Sequence, residues 1–456
     1  MHGTPYILDS MKKFDLQRKG PLHHSLVLVL LTSLLVGLAG GVVGQVLVKI
    51  INLFTNIFFY QTFSFVASSP ADNHLGWWVV AVPVVGGVIV GLMAKFGHEA
   101  IRGHGIPEAM ETVLYKESLI PRRLTLLKPI SAAFSIGSGG PFGAEGPIIA
   151  TGSAIGSWMG RIRYFNKYDR KILLAAGAAA GMTSIFGSPV SAILLAIELL
   201  LFEYRPKSFL PVALASLTAY GYRSMTFGLA PAFHMGTLSE VATQSLPLYL
   251  IEGILLGFAA IFITKIIYWV EDLFDESHIH WMWWPAIGGL VVGVVGYFSP
   301  KTMGVGYVNI EEIINGQWVG ASLFFFIFMK WLSWSISLGS GTSGGTLAPL
   351  FTLGGGLGSL FGSAMQKYLP SMQVDLKMAA LVGMAAVFTG STRAFFTSMV
   401  FAFEVTHQMS SWGPLLAGCL GAFLTSGLFM ENTIMTEKIA RRGKPIPFEY
   451  GPITEQ

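Results

Sequence analysis

Long apolar runs broken by glycine organise this chain. Charge-free segments cover 25–48, 75–94, 282–300, 331–366 and 408–430. A helix needs about 20 such residues to cross roughly 30 Å of hydrocarbon, so these runs predict membrane-spanning helices. The longest, 331–366, is interrupted by repeated glycines and by Pro349, which predicts a bent or re-entrant element. Backbone that leaves the helix at membrane depth is tolerated only where it is buried in protein or lines a cavity. The interruptions therefore mark where function is to be sought.

The interruptions recur along the chain. Ser138-Gly139-Gly140-Pro141-Phe142-Gly143-Ala144-Glu145-Gly146-Pro147 resembles Ser340-Gly341-Thr342-Ser343-Gly344-Gly345-Thr346-Leu347-Ala348-Pro349, with the closing prolines 202 residues apart. Further on, 179–198, with Gly187-Ser188-Pro189 and the ending Ile197-Glu198, resembles 385–404, which ends Phe403-Glu404, at an offset of 206. Two repeats in the same order argue for duplicated halves. Repeats of this kind place a binding site at their interface near the midplane, built from discontinuous helices whose N-termini face an anion.

One carboxylate stands inside the first of these repeats. Glu145 is the sole charged residue between Lys128 and Arg161, and a carboxylate at membrane depth is costly enough that its default reading is functional. Gly143 and Gly146 beside it permit tight backbone conformations, and Pro147 suits the first turn of a helix. A helix N-terminus offers free N–H groups and partial positive charge, where an anion can sit and where Glu145 can sit instead.

Composition agrees with the pattern. Hydrophobic residues make up 52% of the 456, charged residues 12%, with 54 glycines and a mean hydropathy of +0.60, which excludes an ordinary soluble domain. The net charge of +4 does not imply nucleic acid, because the basic residues gather at span ends: Lys12, Lys13, Arg18 and Lys19 before the first run, and Arg161, Arg163, Lys167, Arg170 and Lys171 in one loop. The positive-inside rule then puts the N-terminus, that loop and the basic tail 438–444 in the cytoplasm. Cys419 is the single cysteine and reads as apolar filler. Asp275, His278 and His280 precede Trp281, Trp283 and Trp284, which reads as a loop at the bilayer interface rather than a metal site. No phosphate-binding Gly-rich loop is present, so nothing suggests an ATPase.

Three ordered segments carry a specific resemblance. Gly103-His104-Gly105-Ile106-Pro107-Glu108, Gly143-Ala144-Glu145-Gly146-Pro147 and Gly344-Gly345-Thr346-Leu347-Ala348-Pro349 are similar, in order and rough spacing, to the GSGIPE, G-K/R-EGP and GxFxP signatures of the CLC family of chloride channels and chloride/proton antiporters. The resemblance runs from about Ser25 to Arg442. It implies an all-α polytopic membrane protein with the CLC-type fold, two inverted-topology repeated halves with broken and re-entrant helices, assembled as a homodimer with an anion path in each subunit. By that resemblance Glu145 is the gating glutamate, which occupies an anion site when ionised and swings away when protonated. The backbone around Gly103, His104, Gly105, Ile106, Pro107, Gly143, Ala144, Gly146, Pro147, Gly345, Thr346 and Leu347 would bind the anion.

Several positions depart from the family pattern. Leu347 replaces the usual Phe, a swap that backbone donors tolerate. His104 stands where an inner-gate Ser is usual, and reads either as a ring that donates to an anion or titrates, or as a neutral histidine filling the inner vestibule. Met435 is the best match to the inner-gate Tyr and has no hydroxyl, while Tyr450 lies too far along. Antiporters of the family usually carry a second glutamate where this chain has Leu199. Glu203, expected one turn on along the same helix face, is the candidate substitute, although a carboxylate beside Arg205 also suits a surface ion pair. Glu198 and Glu404, at matching positions of the repeat, suit a structural role as hydrogen-bond acceptors, and Arg393 suits helix-end carbonyls.

The resulting expectation is a cytoplasmic segment at 1–24, a transport domain at 25–442 with halves of about 25–240 and 241–442, and a short tail at 443–456 without the CBS domains that some relatives carry. The expected function is chloride transport across a plasma (inner) membrane with both termini cytoplasmic. Chloride is the transported ligand, protons are the exchanged partner, and no enzyme activity, metal, cofactor or nucleic acid is called for. Antiport gated by Glu145 competes with a passive or leaky conductor, favoured by Leu199 and Met435. Fluoride or another small anion remains an alternative substrate. A transporter of organic solutes, or a membrane enzyme, would need several polar side chains converging near Glu145, and the motifs supply mainly glycines and apolar residues.

Overall fold

The computed structural model describes residues 24–238 and 243–447. The expected cytoplasmic segment, the junction of the two halves at 240/241, Tyr450 and most of the tail lie outside the described residues. Within them the chain is helical, and seven helices are long and apolar enough to cross a membrane. The runs that predicted spans fall on these helices, and the 331–366 run breaks between Gly339 and Leu347.

The first half holds α1 (His24–Tyr60), α2 (Ala81–Phe96), α3 (Ile106–Tyr115), α4 (Leu124–Gly137), α5 (Glu145–Met159), α6 (Lys167–Phe186), α7 (Pro189–Leu195, continued by a π-turn over Ala196–Leu201) and α8 (Pro206–Phe227). The second repeats the series as α9 (Leu246–Glu276), α10 (Trp284–Phe298), α11 (Tyr307–Ile314), α12 (Gly320–Gly339), α13 (Leu347–Tyr368), α14 (Leu376–Thr392), α15 (Phe395–Thr406) and α16 (Trp412–Phe429). A short α17 (Glu437–Ala440) follows.

The contacts between halves are reciprocal, and this fixes their relation. Gly143 and Gly345, 202 residues apart, form an antiparallel bridge in which each N–H donates to the other's carbonyl, at 3.3 and 2.9 Å. On α2 and α10, a Cβ at Gly87 would lie 2.2 Å from the Pro285 carbonyl oxygen, and one at Gly289 would lie 2.3 Å from that of Pro83. Pro83 and Pro285 are also 202 apart. At the other end of each half, the Glu198 carboxylate accepts from the N–H groups of Phe396 and Thr397, and Glu404 accepts from those of Val190 and Ser191. Every member of this second exchange is matched at an offset of 206. When each residue meets the partner of its own counterpart, the two halves are related by a two-fold axis. The Gly143–Gly345 bridge is antiparallel across that axis, as a pair of inverted halves requires.

Glycine makes this packing possible. α5 crosses α6 where Gly152 and Gly177 would each drive a Cβ to within about 2 Å of the other's carbonyl, and α13 crosses α14 in the same way at Gly354 and Gly383. Without a hydrophobic difference between lipid and protein, such close backbone approach supplies the association energy through dispersion and packing.

One buried group serves no such contact. Glu252 on α9 is fully buried, and neither of its carboxylate oxygens has a hydrogen-bond partner. It lies against Gly358 of α13, where a Cβ would come within 2.8 Å of Oε1. An unsatisfied buried polar group costs about 1–3 kcal/mol, so Glu252→Met, of similar length, is expected to raise the thermal midpoint of the detergent-solubilised protein. A lowered midpoint would show that the carboxyl is needed where it stands.

Candidate functional site

The three motif segments, distant in sequence, converge on one glycine junction. A Cβ at Gly146 would meet the His104 carbonyl oxygen at 2.1 Å and the Gly345 Cα at 3.0 Å, and one at Gly105 would meet the Gly146 carbonyl oxygen at 2.8 Å. Gly103 and Gly105 adopt φ of +89° and +92°, a left-handed region that favours glycine. The turn they make brings α3 in N-terminus first, with the Gly105 N–H donating to Glu108 Oε2 at 2.9 Å. Ile106 and Pro107 open α3, Glu145 opens α5 behind Ala144, and Leu347 opens α13 behind Thr346. Three helix N-termini, each with unsatisfied N–H groups and partial positive charge, thus border one buried space.

Glu145 sits in that space. It is fully buried, and its Oε1 accepts a 2.8 Å hydrogen bond from the Tyr307 hydroxyl at the start of α11. Its Oε2 has no partner. A Cβ at Gly143 would lie 1.7 Å from Oε2 and one at Gly345 2.8 Å from it, so these two glycines make room for the carboxylate. Leu347, at the usual Phe position, is fully buried, as is Thr346, whose hydroxyl is unpaired.

On the far side of the junction His104 is buried with Nδ1 unpaired. Glu108, Lys128 and Lys438 surround it, and its ring faces the Ile434 carbonyl. Lys128 Nζ donates to the carbonyls of Ile101 and Gly103 at 2.7 Å each, and Lys438 pairs with Glu108 at 2.8 Å. These bonds hold the Gly103 to Gly105 turn in place. Met435 is fully buried beside it. The adjacent Ile434 carbonyl accepts from the Tyr268 hydroxyl at 2.8 Å, so a tyrosine from α9 reaches the region that Met435 leaves without one. A cavity of about 590 Å³, lined by Arg102, Gly105, Glu108, Lys128, Glu271 and Lys438 among others, leads to this turn.

Glu203 is placed elsewhere. The helix ends at Leu201, and Phe202 turns left-handed at φ +53°, so Glu203 does not continue the face of Leu199, contrary to the one-turn expectation. It bonds Ser208 at 2.8 Å and pairs with Arg205 at 3.7 Å. None of these partners belongs to the three converging segments. Leu199 lines a cavity of about 390 Å³ together with Glu198, Arg393, Phe396 and Thr436. Arg393 donates to the carbonyls of Ser426 and Glu431, at the end of α16.

Tyr307 was not singled out from sequence. Its signal is nonetheless present: Gly304-Val305-Gly306-Tyr307 repeats Gly103-His104-Gly105-Ile106 at an offset of 201. Gly304 and Gly306 share positive φ of +69° and +74°. Lys330, 202 after Lys128, likewise donates its Nζ to a backbone carbonyl, that of Thr302.

A glycine junction of opposed helix N-termini around one carboxylate, held between inverted halves, defines a broken-helix membrane transporter for a small ion. Sequence comparison gives the family: residues 85–427 match the Voltage gated chloride channel family, and the chain belongs to it, the CLC family. The chain is 32% identical over 372 residues to the H(+)/Cl(-) exchange transporter ClcA of Citrobacter koseri, covering 77% of this chain and 76% of that protein. It is 26% identical over 372 residues to a putative chloride channel protein, ClcB-like, of Ralstonia nicotianae, covering 80% and 87%. Its fold matches that of a slow cyanobacterial Cl-/H+ antiporter with a TM-score of 0.83 at 23% identity, covering 92% of this chain and 98% of the other.

Proposed function

We propose that the protein exchanges chloride for protons across the plasma membrane, with Glu145 as both gate and proton carrier. The observation that carries this reading is the placement of Glu145, fully buried at the point where α3, α5 and α13 present their N-termini. Backbone N–H groups suit a halide, which offers no hydrogen-bond donor and needs only positive potential around it. An ionised Glu145 competes for the same potential, and a neutral one does not. A single protonation thereby couples anion occupancy to proton occupancy. The exchange activity named for the ClcA relative supports the same reading.

Gly103, His104, Gly105, Ile106 and Pro107 form the inner end of the proposed path, with Met435 buried at its side. Gly143, Ala144, Gly146, Pro147, Gly345, Thr346 and Leu347 form its middle. With Leu199 apolar and Glu203 held by Ser208 and Arg205, protons reach Glu145 from the inner side through water. The 590 Å³ cavity beneath the His104 turn is large enough to hold it. The transport domain is proposed to span 25–442 as two halves meeting near 240, with both termini cytoplasmic. It is proposed to work as a homodimer, for which Leu416, Leu420, Leu424 and Leu428 form an exposed ridge along α16.

A second reading, passive chloride conduction, is favoured by Leu199, which lines the 390 Å³ cavity where a second glutamate is usual. The two are separated by reversal potentials in proteoliposomes with a fixed chloride gradient and varied pH on one side, with fluoride substituted in a parallel set. A potential that moves with pH is expected. One that stays at the chloride equilibrium value would establish a passive conductor, and a current carried by fluoride alone would replace the substrate.

A further inference from the structure

The sequence motifs account for the backbone around Glu145 but not for what holds its side chain. We propose that Tyr307 is the latch of the gate: its hydroxyl holds the ionised Glu145 carboxylate in the anion path and thereby sets the pH at which the path opens. This rests on the reading of Glu145 as the gate.

Geometry makes the hydroxyl a fixed donor. The Tyr307 Oη to Glu145 Oε1 distance is 2.8 Å, and the Ala144 N–H faces the same phenol oxygen, so the hydroxyl proton points toward the carboxylate. The ring packs against Phe186 and Phe233, with centroids 5.7 and 6.0 Å away. Phe186 in turn meets Phe351 and Phe401, so rings from both halves brace the phenol. Its backbone is fixed as well: the Gly304 N–H donates to the Gly139 carbonyl at 3.1 Å, tying the turn before α11 to the turn before Glu145. A tyrosine ring with two rotatable side-chain bonds, packed on several sides, presents its hydroxyl with little entropy to lose.

The position within the repeat sharpens the point. Tyr307 stands where the first half has Ile106, at the opening of the equivalent helix, so one end of the junction receives an apolar side chain and the other a hydroxyl. The inverted fold would put an anion-facing helix start at both ends. The hydroxyl makes the second of them a holder of the carboxylate. Oε2 is buried and has no hydrogen-bond partner, which leaves it as the atom that takes the proton; the bond from the phenol to Oε1 then loses its charge assistance and its hold on the side chain weakens.

A donor to an ionised carboxylate favours the charged form, and charge-assisted bonds are the stronger kind. Lys330 of α12, the charged side chain that also faces Glu145, is common to the native protein and the variant and so leaves the difference between them to the hydroxyl. Removing the hydroxyl therefore lets Glu145 protonate, and the path open, at higher pH. Chloride efflux from proteoliposomes, followed as a function of pH, is expected to reach half its maximum on the order of one pH unit higher in Tyr307→Phe than in the native protein. The Phe ring keeps the contacts with Phe186 and Phe233, so folding is checked by size exclusion and thermal midpoint. The decisive comparison is the double variant. Acting only through the Glu145 side chain, the substitution should leave the flux of Glu145→Ala, which has no acceptor for the hydroxyl, unchanged when the two are combined.

A Tyr307→Phe profile superimposed on the native one, with folding intact, would overturn the latch. So would a flux change that persists on the Glu145→Ala background, since the tyrosine would then act on the path directly. Native proton movement in Glu145→Gln alone would instead remove the gate reading on which the latch depends. Should Tyr307→Phe fail to fold, Phe233→Leu tests the same idea by loosening the brace, with the profile expected to shift in the same direction.

Discussion

Replacing Glu145 by Gln is expected to abolish proton movement while leaving chloride flux, measured as pH-driven proton uptake and chloride efflux in proteoliposomes. The amide is nearly isosteric, so the fully buried pocket and the room left by Gly143 and Gly345 stay filled. Tyr307 keeps an acceptor in the amide oxygen. What disappears is the capacity to carry a charge and to take a proton, on which the proposed gate depends. Proton flux should fall at least tenfold, corresponding to about 1.4 kcal/mol or more on the rate-limiting barrier. Chloride flux should lose its pH dependence, because neither end of the path then titrates at Glu145. Proton uptake unchanged in this variant would take Glu145 out of the mechanism, whatever the anion flux.

How much of this was legible from residues depends on what backbone geometry demands. The three glycine motifs pointed to one site because each glycine there answers to a steric need, a positive φ at Gly103 and Gly105 or a backbone carbonyl pressed close at Gly146. Glycine spaced by proline leaves a trace in sequence. Tyr307 left a fainter one. Its Gly304-Val305-Gly306 turn repeats the first motif, but Val308 and Asn309 replace Pro107 and Glu108, and the pattern fades where the second turn no longer needs them. Glu203 was misplaced along its helix because Phe202 turns left-handed without glycine, and no residue type announces that. Glu252 was hidden for another reason: one carboxyl in an apolar helix gives no sign of whether it has a partner, and here it has none.

The inverted exchange of carboxylates between halves gives the largest expected effect on stability. Glu198→Ala is expected to destabilise the protein by about 3–5 kcal/mol, seen as a lowered thermal midpoint and reduced yield of monodisperse protein in detergent. Glu198 satisfies the N–H groups of Phe396 and Thr397 at 3.0 and 2.9 Å and the Thr397 hydroxyl at 2.6 Å. These are orphan donors at the start of α15, with no intrahelical partner, and Glu198 itself is buried. Glu404→Ala removes the acceptor of two backbone N–H groups, those of Val190 and Ser191 at 2.9 and 2.8 Å, and Glu404 is only half-buried. Water can replace part of what is lost there, so roughly half the penalty is expected. The asymmetry is the informative quantity, because symmetry-related residues with equal roles in transport would be expected to cost alike. Glu198 also borders the cavity that Leu199 lines, behind the exposed Glu431 of the same cavity, so a proton entering there would reach it. Glu198→Gln separates the two roles. It should lower stability, because the amide nitrogen is turned against a donor, while proton flux per folded molecule stays at the native level. Native stability with proton flux lost would instead make Glu198 the inner proton station that position 199 lacks.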